Sequence, residues 1–392
     1  MHRIFLILAV ATSLAPKGLC QSGPTITLAG EPYVYKEWES FTEESTHGGL
    51  INDHIFFLEA DGDSLWIGTE GGLVLYENGK WKSWTEEDGL PWKVVMGLAK
   101  DPRTGELWLA LFGEGIARFS GGHFEHFTQM NSGLLNDVVY GVDIQGDNVW
   151  VATTAGISRY NQVTGEWAVF NEKHAPMEEV WTYNVDAAED RVYFAVWGGG
   201  ILEWDVKTQV WTDYVDPDGE MEIDLYRDDG LVHVITTSAS YIDNVLWAGT
   251  YFGLSRYDRR NWRGYMDIDS GLPSNFINLA VGRNGTSCYS CTDKGLGVLV
   301  DFETDTWVTY KQDTEDAETW TAHVMVGNQE IKTMSTNLDL PNHFTICVEF
   351  MGDDVWIGTG HGLARGIGNG YYDGLRGKGS SAGSFKGPTN PK

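Results

Sequence analysis

Cysteine is nearly absent from this sequence: four residues among 392, of which three lie beyond position 20. That is too few, and an odd number, for a disulfide framework, so bridges are not expected to hold the fold. Basic residues are scarce beside acidic ones, with 27 Lys and Arg against 56 Asp and Glu, a net charge of -29. Such a balance repels a phosphate backbone and an anionic membrane surface, which argues against nucleic acid as a partner. No apolar run reaches the roughly 20 residues that a bilayer-spanning helix needs, and no long stretch carries helical amphipathic spacing. What the chain has instead is Gly 48, Trp 17, Tyr 17 and Phe 16 against Pro 11. That is the composition of an aromatic, turn-rich chain with ample material for a core.

The two ends differ from the body. Met1-His2-Arg3 is a short basic start, Ile4 to Ala15 an apolar run of 12, and Gly18-Leu19-Cys20 a cleavage pattern before Gln21. Residues 1–20 therefore read as a secretory signal, with export to a periplasm or the exterior. A lipid-anchored Cys20 is the alternative, but Leu19 is too large for the position preceding a lipidated cysteine. At the other end, residues 368–392 are rich in Gly and Ser, carry only positive charge from Arg376 onward, and are expected to form a disordered tail.

Between them a unit repeats. LWIGTEGGL (65–73), LWLALFGEGI (107–116), VWVATTAGI (149–157), VYFAVWGGGI (192–201), LWAGTYFGL (246–254), CYSCTDKGL (288–296) and VWIGTGHGL (355–363) align on an aromatic followed by Gly-Leu or Gly-Ile. Their anchors, Trp66, Trp108, Trp150, Tyr193, Trp247, Tyr289 and Trp356, are spaced by 42, 42, 43, 54, 42 and 67 residues. A second mark recurs independently, an aromatic pair three apart: Trp38/Phe41, Trp81/Trp84, Phe124/Phe127, Trp167/Phe170, Trp211/Tyr214, Trp262/Tyr265 and Trp307/Tyr310. A turn such as Gly271-Leu272-Pro273 and a strand-like run complete each unit. Four short strands at this period describe a blade too small to cover its own faces, which makes the chain all-β, a seven-bladed β-propeller over 33–367. The motif glycines, Gly68 and Gly253 for example, are turn and close-packing positions.

The order of the marks predicts how the ring closes. The pair Trp38/Phe41 precedes any anchor, whereas Trp356 is followed by no pair at the expected spacing. The last blade lacks its outer strand, and an N-terminal strand around Tyr35 to Thr42 supplies it. The register also resolves Cys288 and Cys291: three apart in a strand, they point to opposite faces and stay free thiols, as does Cys347.

The segments LWIGTEGGLVLY, LWAGTYFGLSRY and VWIGTGHGLARG, with GLPSNFI and NWRGYMDIDSGL, resemble the two-component-regulator propeller repeat. The resemblance covers roughly Tyr33 to Gly366 and is strongest in the first, third, fifth and seventh units. It implies the propeller fold of the periplasmic sensor region of hybrid histidine kinases, here as a stand-alone secreted propeller. No kinase or DNA-binding segment accompanies it, so signalling is not carried over. The streptogramin-type lyases are a more distant seven-bladed likeness, and none of their catalytic residues can be placed here.

Two unit-to-unit links are enlarged: Val215 to Asp228 by about 12 residues and Lys311 to Asn337 by about 25. Such links emerge on the same face as the links between second and third strands, which makes that face the candidate site. It presents Trp92, Phe112, Trp197, Tyr251 and Phe252, suited to stacking on sugars or clamping a peptide, or else to plugging the rim. His54, His343 and His361 lie there too, with Asp53 and Asp339 close in sequence. These are either hydrogen-bonded surface side chains or acid, base and transition-metal ligands. Asp216-Pro217-Asp218-Gly219-Glu220 resembles half a calcium loop without the remaining ligands. No cofactor is expected, and no motif nominates a nucleophile. Two readings follow: a non-enzymatic binder of a glycan, peptide or protein, or a propeller lyase or hydrolase with a histidine and carboxylate metal site.

Overall fold

The computed structural model describes residues 30–218, 228–314, 319–339 and 343–370. The expected leader over 1–20 and all but the first three residues of the expected tail lie outside them. Seven antiparallel sheets follow one another along the chain, six built from strands in sequence order and the seventh taking its outer strand from the N-terminal end. Blades one to five span 55–84, 95–127, 139–170, 182–214 and 236–265. Blade six begins at 277, and blade seven runs from 345 to 366. The only helical element among the described residues is a single 3-10 turn, Glu86–Asp88.

The repeat motif does a specific mechanical job at the turn between second and third strands. Gly72, Gly156, Gly253, Gly295 and Gly362 sit at φ between 125° and 146°, backbone that side chains avoid. The outer strand also passes directly over this position: a Cβ on Gly72 would stand 2.5 Å from the Trp84 carbonyl oxygen, and one on Gly253 would run into that of Tyr265. The threonine of the same motif closes the turn. The Thr250 hydroxyl donates to the Gly253 carbonyl at 2.9 Å and accepts the Phe252 N–H at 3.0 Å. Thr69, Thr153, Thr292 and Thr359 make the same pair of bonds.

Anchor aromatics tile the blades together. Trp66 lies 5.5 Å from Trp84 of its own outer strand and 5.9 Å from Phe119 in the next blade. Trp108 does the same with Phe127 and Tyr160, and Trp150 with Phe170 and Trp204. Blade four departs from this pattern because its anchor is Tyr193. The Tyr193 hydroxyl accepts from Arg259 Nη1 at 2.9 Å, and the same guanidinium reaches Glu203, which also takes Arg191 and the Tyr214 hydroxyl. Burial raises the Glu203 pKa, but the Arg259 and Tyr214 hydrogen bonds outweigh it and hold the carboxyl below its ordinary value. A polar latch replaces indole packing at this seam.

Closure is as the repeat order requires. Trp38–Phe41 pairs antiparallel with Gly362–Gly366, Trp38 opposite Gly366 and Phe41 opposite Leu363. Phe41 then stacks on Trp356 at 5.8 Å and 16°.

The larger insertion is not the rim loop that its position suggested. Thr321–Val326 and Gln329–Ser335 form a hairpin that joins the outer strand Thr306–Lys311, so blade six has six strands. Its base grips the segment leading to the closing strand: Asn337 accepts the Trp38 N–H at 2.7 Å and Lys332 meets Glu31 at 2.8 Å. Trp320 and Leu338 share a core with Val34, Tyr35 and Trp38. The smaller insertion includes residues 219–227, outside the described set.

Cys288, Cys291 and Cys347 are free and buried. Cys288 packs in the core between blades five and six and Cys291 in the core on the opposite face of its strand. Desolvation pushes the Cys291 thiol up to about 12 and raises the Cys288 and Cys347 thiols as well.

Deleting residues 33–43 removes the closing strand and its buried aromatics. With about 1.5 to 3 kcal/mol for each large side chain, the loss should amount to several kcal/mol and leave a sheet edge open to self-association. A monomeric truncation with unchanged melting temperature contradicts this account of closure. Gly253→Ala should cost about 1–3 kcal/mol or more in denaturant unfolding, through backbone strain and the Tyr265 carbonyl.

Candidate functional site

Each inner strand breaks register at its second residue. The ladder skips Phe56, Met96, Tyr140, Tyr183, Thr237, Asn278 and Ile346, one per blade. A bulge of this kind frees a residue from the ladder and re-aims its side chain. The residues that follow, Phe57 to Glu59, Asn184 to Asp186 and Cys347 to Glu349 among them, line a cavity of about 150 Å³ inside the central channel. The bulged residues therefore stand at the channel mouth, on the face that also carries the links between second and third strands.

On blades two to six this mouth is aromatic. Phe112 meets Tyr140 at 5.5 Å, Tyr140 stacks on Tyr183 at 4.5 Å, and Tyr183 meets Trp197 at 5.3 Å. Trp197 meets Tyr251 at 4.6 Å and Tyr251 meets Phe276 at 4.0 Å. Trp181 touches Tyr140, Tyr183 and Trp197 at 5.8–5.9 Å, which makes seven rings in one arc. Phe112 is 41% and Trp181 37% exposed. Within the same span the bulged residues of blades five and six are tied down instead: Thr237 donates to the Ile277 carbonyl and Asn278 to that of Thr345. Desolvation raises all three tyrosine pKa values in the arc, Tyr183 to about 12 with help from Tyr140 and Tyr251, so the hydroxyls stay neutral donors.

Of the aromatics expected from sequence, Phe112, Trp197 and Tyr251 fall in this arc. Phe252 lies instead against His233 at 4.2 Å, and Trp92 packs on the core between blades one and two with its indole N–H buried. Tyr140, Trp181, Tyr183 and Phe276 went unnoticed in the sequence. A signal for the arc was present in the alignment itself. The second and fourth motifs are one residue longer and lack the turn threonine, and that longer turn carries Phe112 and Trp197 into bridges with the next blade, at Val138 and Ile235.

The three histidines do not converge on one point: His343 has its own partner, apart from His54 and His361. His54 faces Glu70 at 3.4 Å and Phe56 at 4.4 Å, while His343 Nδ1 meets Gln312 Oε1 at 3.2 Å. His361 sits beside Gly362, whose N–H donates to the Asp53 carbonyl at 2.8 Å, so it shares the blade one corner with His54. Among the described residues no group of three or more His, Cys, Asp or Glu is placed to hold a metal ion. Asp218 N–H donates to Asp216, while Gly219 and Glu220 of the half calcium loop lie outside the described residues.

Below the mouth, the fifth residue of four inner strands is a carboxylate facing the channel. Glu59 accepts the Lys100 N–H at 3.1 Å, Asp143 that of Ala187 at 2.7 Å and Asp186 that of Tyr241 at 2.5 Å, each a bond to a neighbouring blade. Ser240 continues the pattern to Gly282, and Glu349 bonds its own neighbour Phe350. Desolvation raises these carboxyls against their backbone donors: Asp143 to about 6, Asp186 and Glu349 to about 7, and Glu59 well above the ordinary range with Glu349 adding to the shift.

No protein-family profile matches the sequence, and a search of curated proteins finds no match. Solved structures do match. The extracellular domains of two hybrid two-component systems of B. thetaiotaomicron superpose with TM-scores of 0.61 and 0.60 at 17% and 16% identity, each over 85% of this chain. PorZ, a surface component of the type-IX secretion system of Porphyromonas gingivalis, does so at 0.56 and 12% identity over 83%. The chain spans 42%, 40% and 48% of those structures. The propeller fold implied by the repeats is thus shared with part of those extracellular domains.

The channel carboxyls set the sign of the pH response. The folded pKa values of Asp143, Asp186 and Glu349 lie above the ordinary value near 4, so their contribution to stability is complete below about pH 4 and is lost as pH rises through about 6 to 7. Asp186→Asn with Glu349→Gln keeps an acceptor at both positions. The double variant should flatten the fall in melting temperature between about pH 5 and 8. An unaltered pH slope in calorimetry counts against the channel as its source.

Proposed function

We propose that this chain is a non-enzymatic binding propeller, exported to a periplasm or the exterior, that recognises a glycan, peptide or protein partner through the mouth of its channel. Its parts are a leader over 1–20, the propeller over 33–367 and the tail over 368–392. The observation that supports this most is the arc of seven rings across five blades, with Phe112 and Trp181 open to solvent. Packing the ring needs no such arc, because each blade face already has its own buried core. Aromatic surface with tyrosine hydroxyls along it offers stacking area and directional donors together. The two B. thetaiotaomicron domains of the same fold are extracellular, in keeping with an exported recognition module.

Binding of oligosaccharide and peptide panels, followed by tryptophan fluorescence, tests the reading. Phe112→Ala and Trp181→Ala should weaken a captured ligand about tenfold or more, since a central aromatic contact is worth about 2 kcal/mol. Their melting temperatures should stay close to that of the parent. Metal-dependent turnover of any panel member, abolished by His54→Ala, His343→Ala or His361→Ala, would falsify it in favour of a lyase or hydrolase.

A further inference from the structure

The arc can be asked what kind of ligand it discriminates for, an argument that rests on the binding reading above. Its rings come from the links 112–114, 171–181, 197–199, 251–252 and 266–276 and from two inner strands. Those links hold six carboxylates, Glu114, Glu172, Glu178, Glu179, Asp267 and Asp269, and only one lysine or arginine, Lys173. The links of blades six, seven and one on the same face are acidic as well, with Glu70, Glu86, Glu87, Asp88 and Asp293 beside Lys93 and Lys294. The rings therefore stand on an acidic face, and their own links set six carboxylates against a single lysine. Glu179 is built into the arc's edge: its Cγ lies 3.4 Å from the position a Cβ would take on Gly198, in the turn that carries Trp197.

Aromatic faces attract cations through the ring quadrupole, and flanking carboxylates strengthen that attraction. Guanidinium groups suit such a surface best, because they are planar, weakly hydrated and able to stack. The length of the arc adds a second constraint. Successive ring centres 4.0–5.5 Å apart run from Phe112 to Phe276, far more surface than one small cation covers. An extended chain advancing about 3.3–3.6 Å per residue crosses it with side chains presented to several rings in turn. We infer that the arc receives an extended peptide bearing arginine side chains, with guanidinium groups stacked on Trp181, Trp197 and the tyrosines and its backbone carbonyls bonded by the tyrosine hydroxyls. An acidic peptide or acidic glycan is repelled by the same carboxylates.

The test uses the whole protein and four probes: a nonapeptide with three arginines, its citrulline analogue, its glutamate analogue and a neutral hexasaccharide. The arginine peptide should bind, and citrulline, which keeps shape but loses charge, should bind at least tenfold more weakly. Raising salt from about 0.05 to 0.5 M should weaken the arginine complex, through screening of its charges. Glu178→Gln with Glu179→Gln should cost several-fold without moving the melting temperature, and Trp181→Ala about tenfold. Equal binding of the arginine and citrulline peptides, or capture of the neutral hexasaccharide alone at a site sensitive to Trp181→Ala, overturns the cationic assignment while the arc remains the binding surface. Arginine-peptide binding indifferent to Trp181→Ala and Phe112→Ala overturns both.

Discussion

A four-stranded blade cannot cover its own faces, and everything else in this molecule follows from that shortage. The anchor indole of one blade needs an aromatic on the next, as Trp66 needs Phe119 and Trp150 needs Trp204. Mutual cover of this kind is complete only when the first blade meets the last. The chain meets that demand by giving its first strand to its last blade and by committing its largest insertion to holding that strand in place. Size thus went into the seam rather than into a lid over the mouth.

The repeat made most of the fold legible. Two independent marks, an anchor motif and an aromatic pair, each occur seven times, and the offset between them at the two ends places the closing strand. The motif glycines were equally readable, because a positive φ and a crossing carbonyl leave no alternative to glycine. The hairpin of blade six was readable in principle, since Gly327-Asn328 between two runs of strand-like residues is a two-residue turn signal. It was passed over because the repeat period marked the whole stretch as excess.

The aromatic arc was harder to see, for a physical reason. Tyr140 and Tyr183 look like ordinary members of alternating strands, and only the bulge turns them from a blade face to the channel mouth. A bulge leaves no composition of its own: the skipped residue is Phe, Met, Tyr, Thr, Asn or Ile depending on the blade. Trp92 illustrates the converse. It sits in a loop of the correct face, as sequence position implied, yet folds inward onto the core between blades one and two.

Because the skipped residue contributes nothing to the ladder around it, its identity is free of the requirements that govern its neighbours. The seven mouth positions thus behave like interchangeable fittings on a fixed rim, each replaceable without renegotiating strand pairing. Two of them, Thr237 and Asn278, have been recruited as fasteners between blades, and the others are left to chemistry. An ancestral ring of this construction could change what it recognises one blade at a time, with stability and selectivity inherited along separate lines.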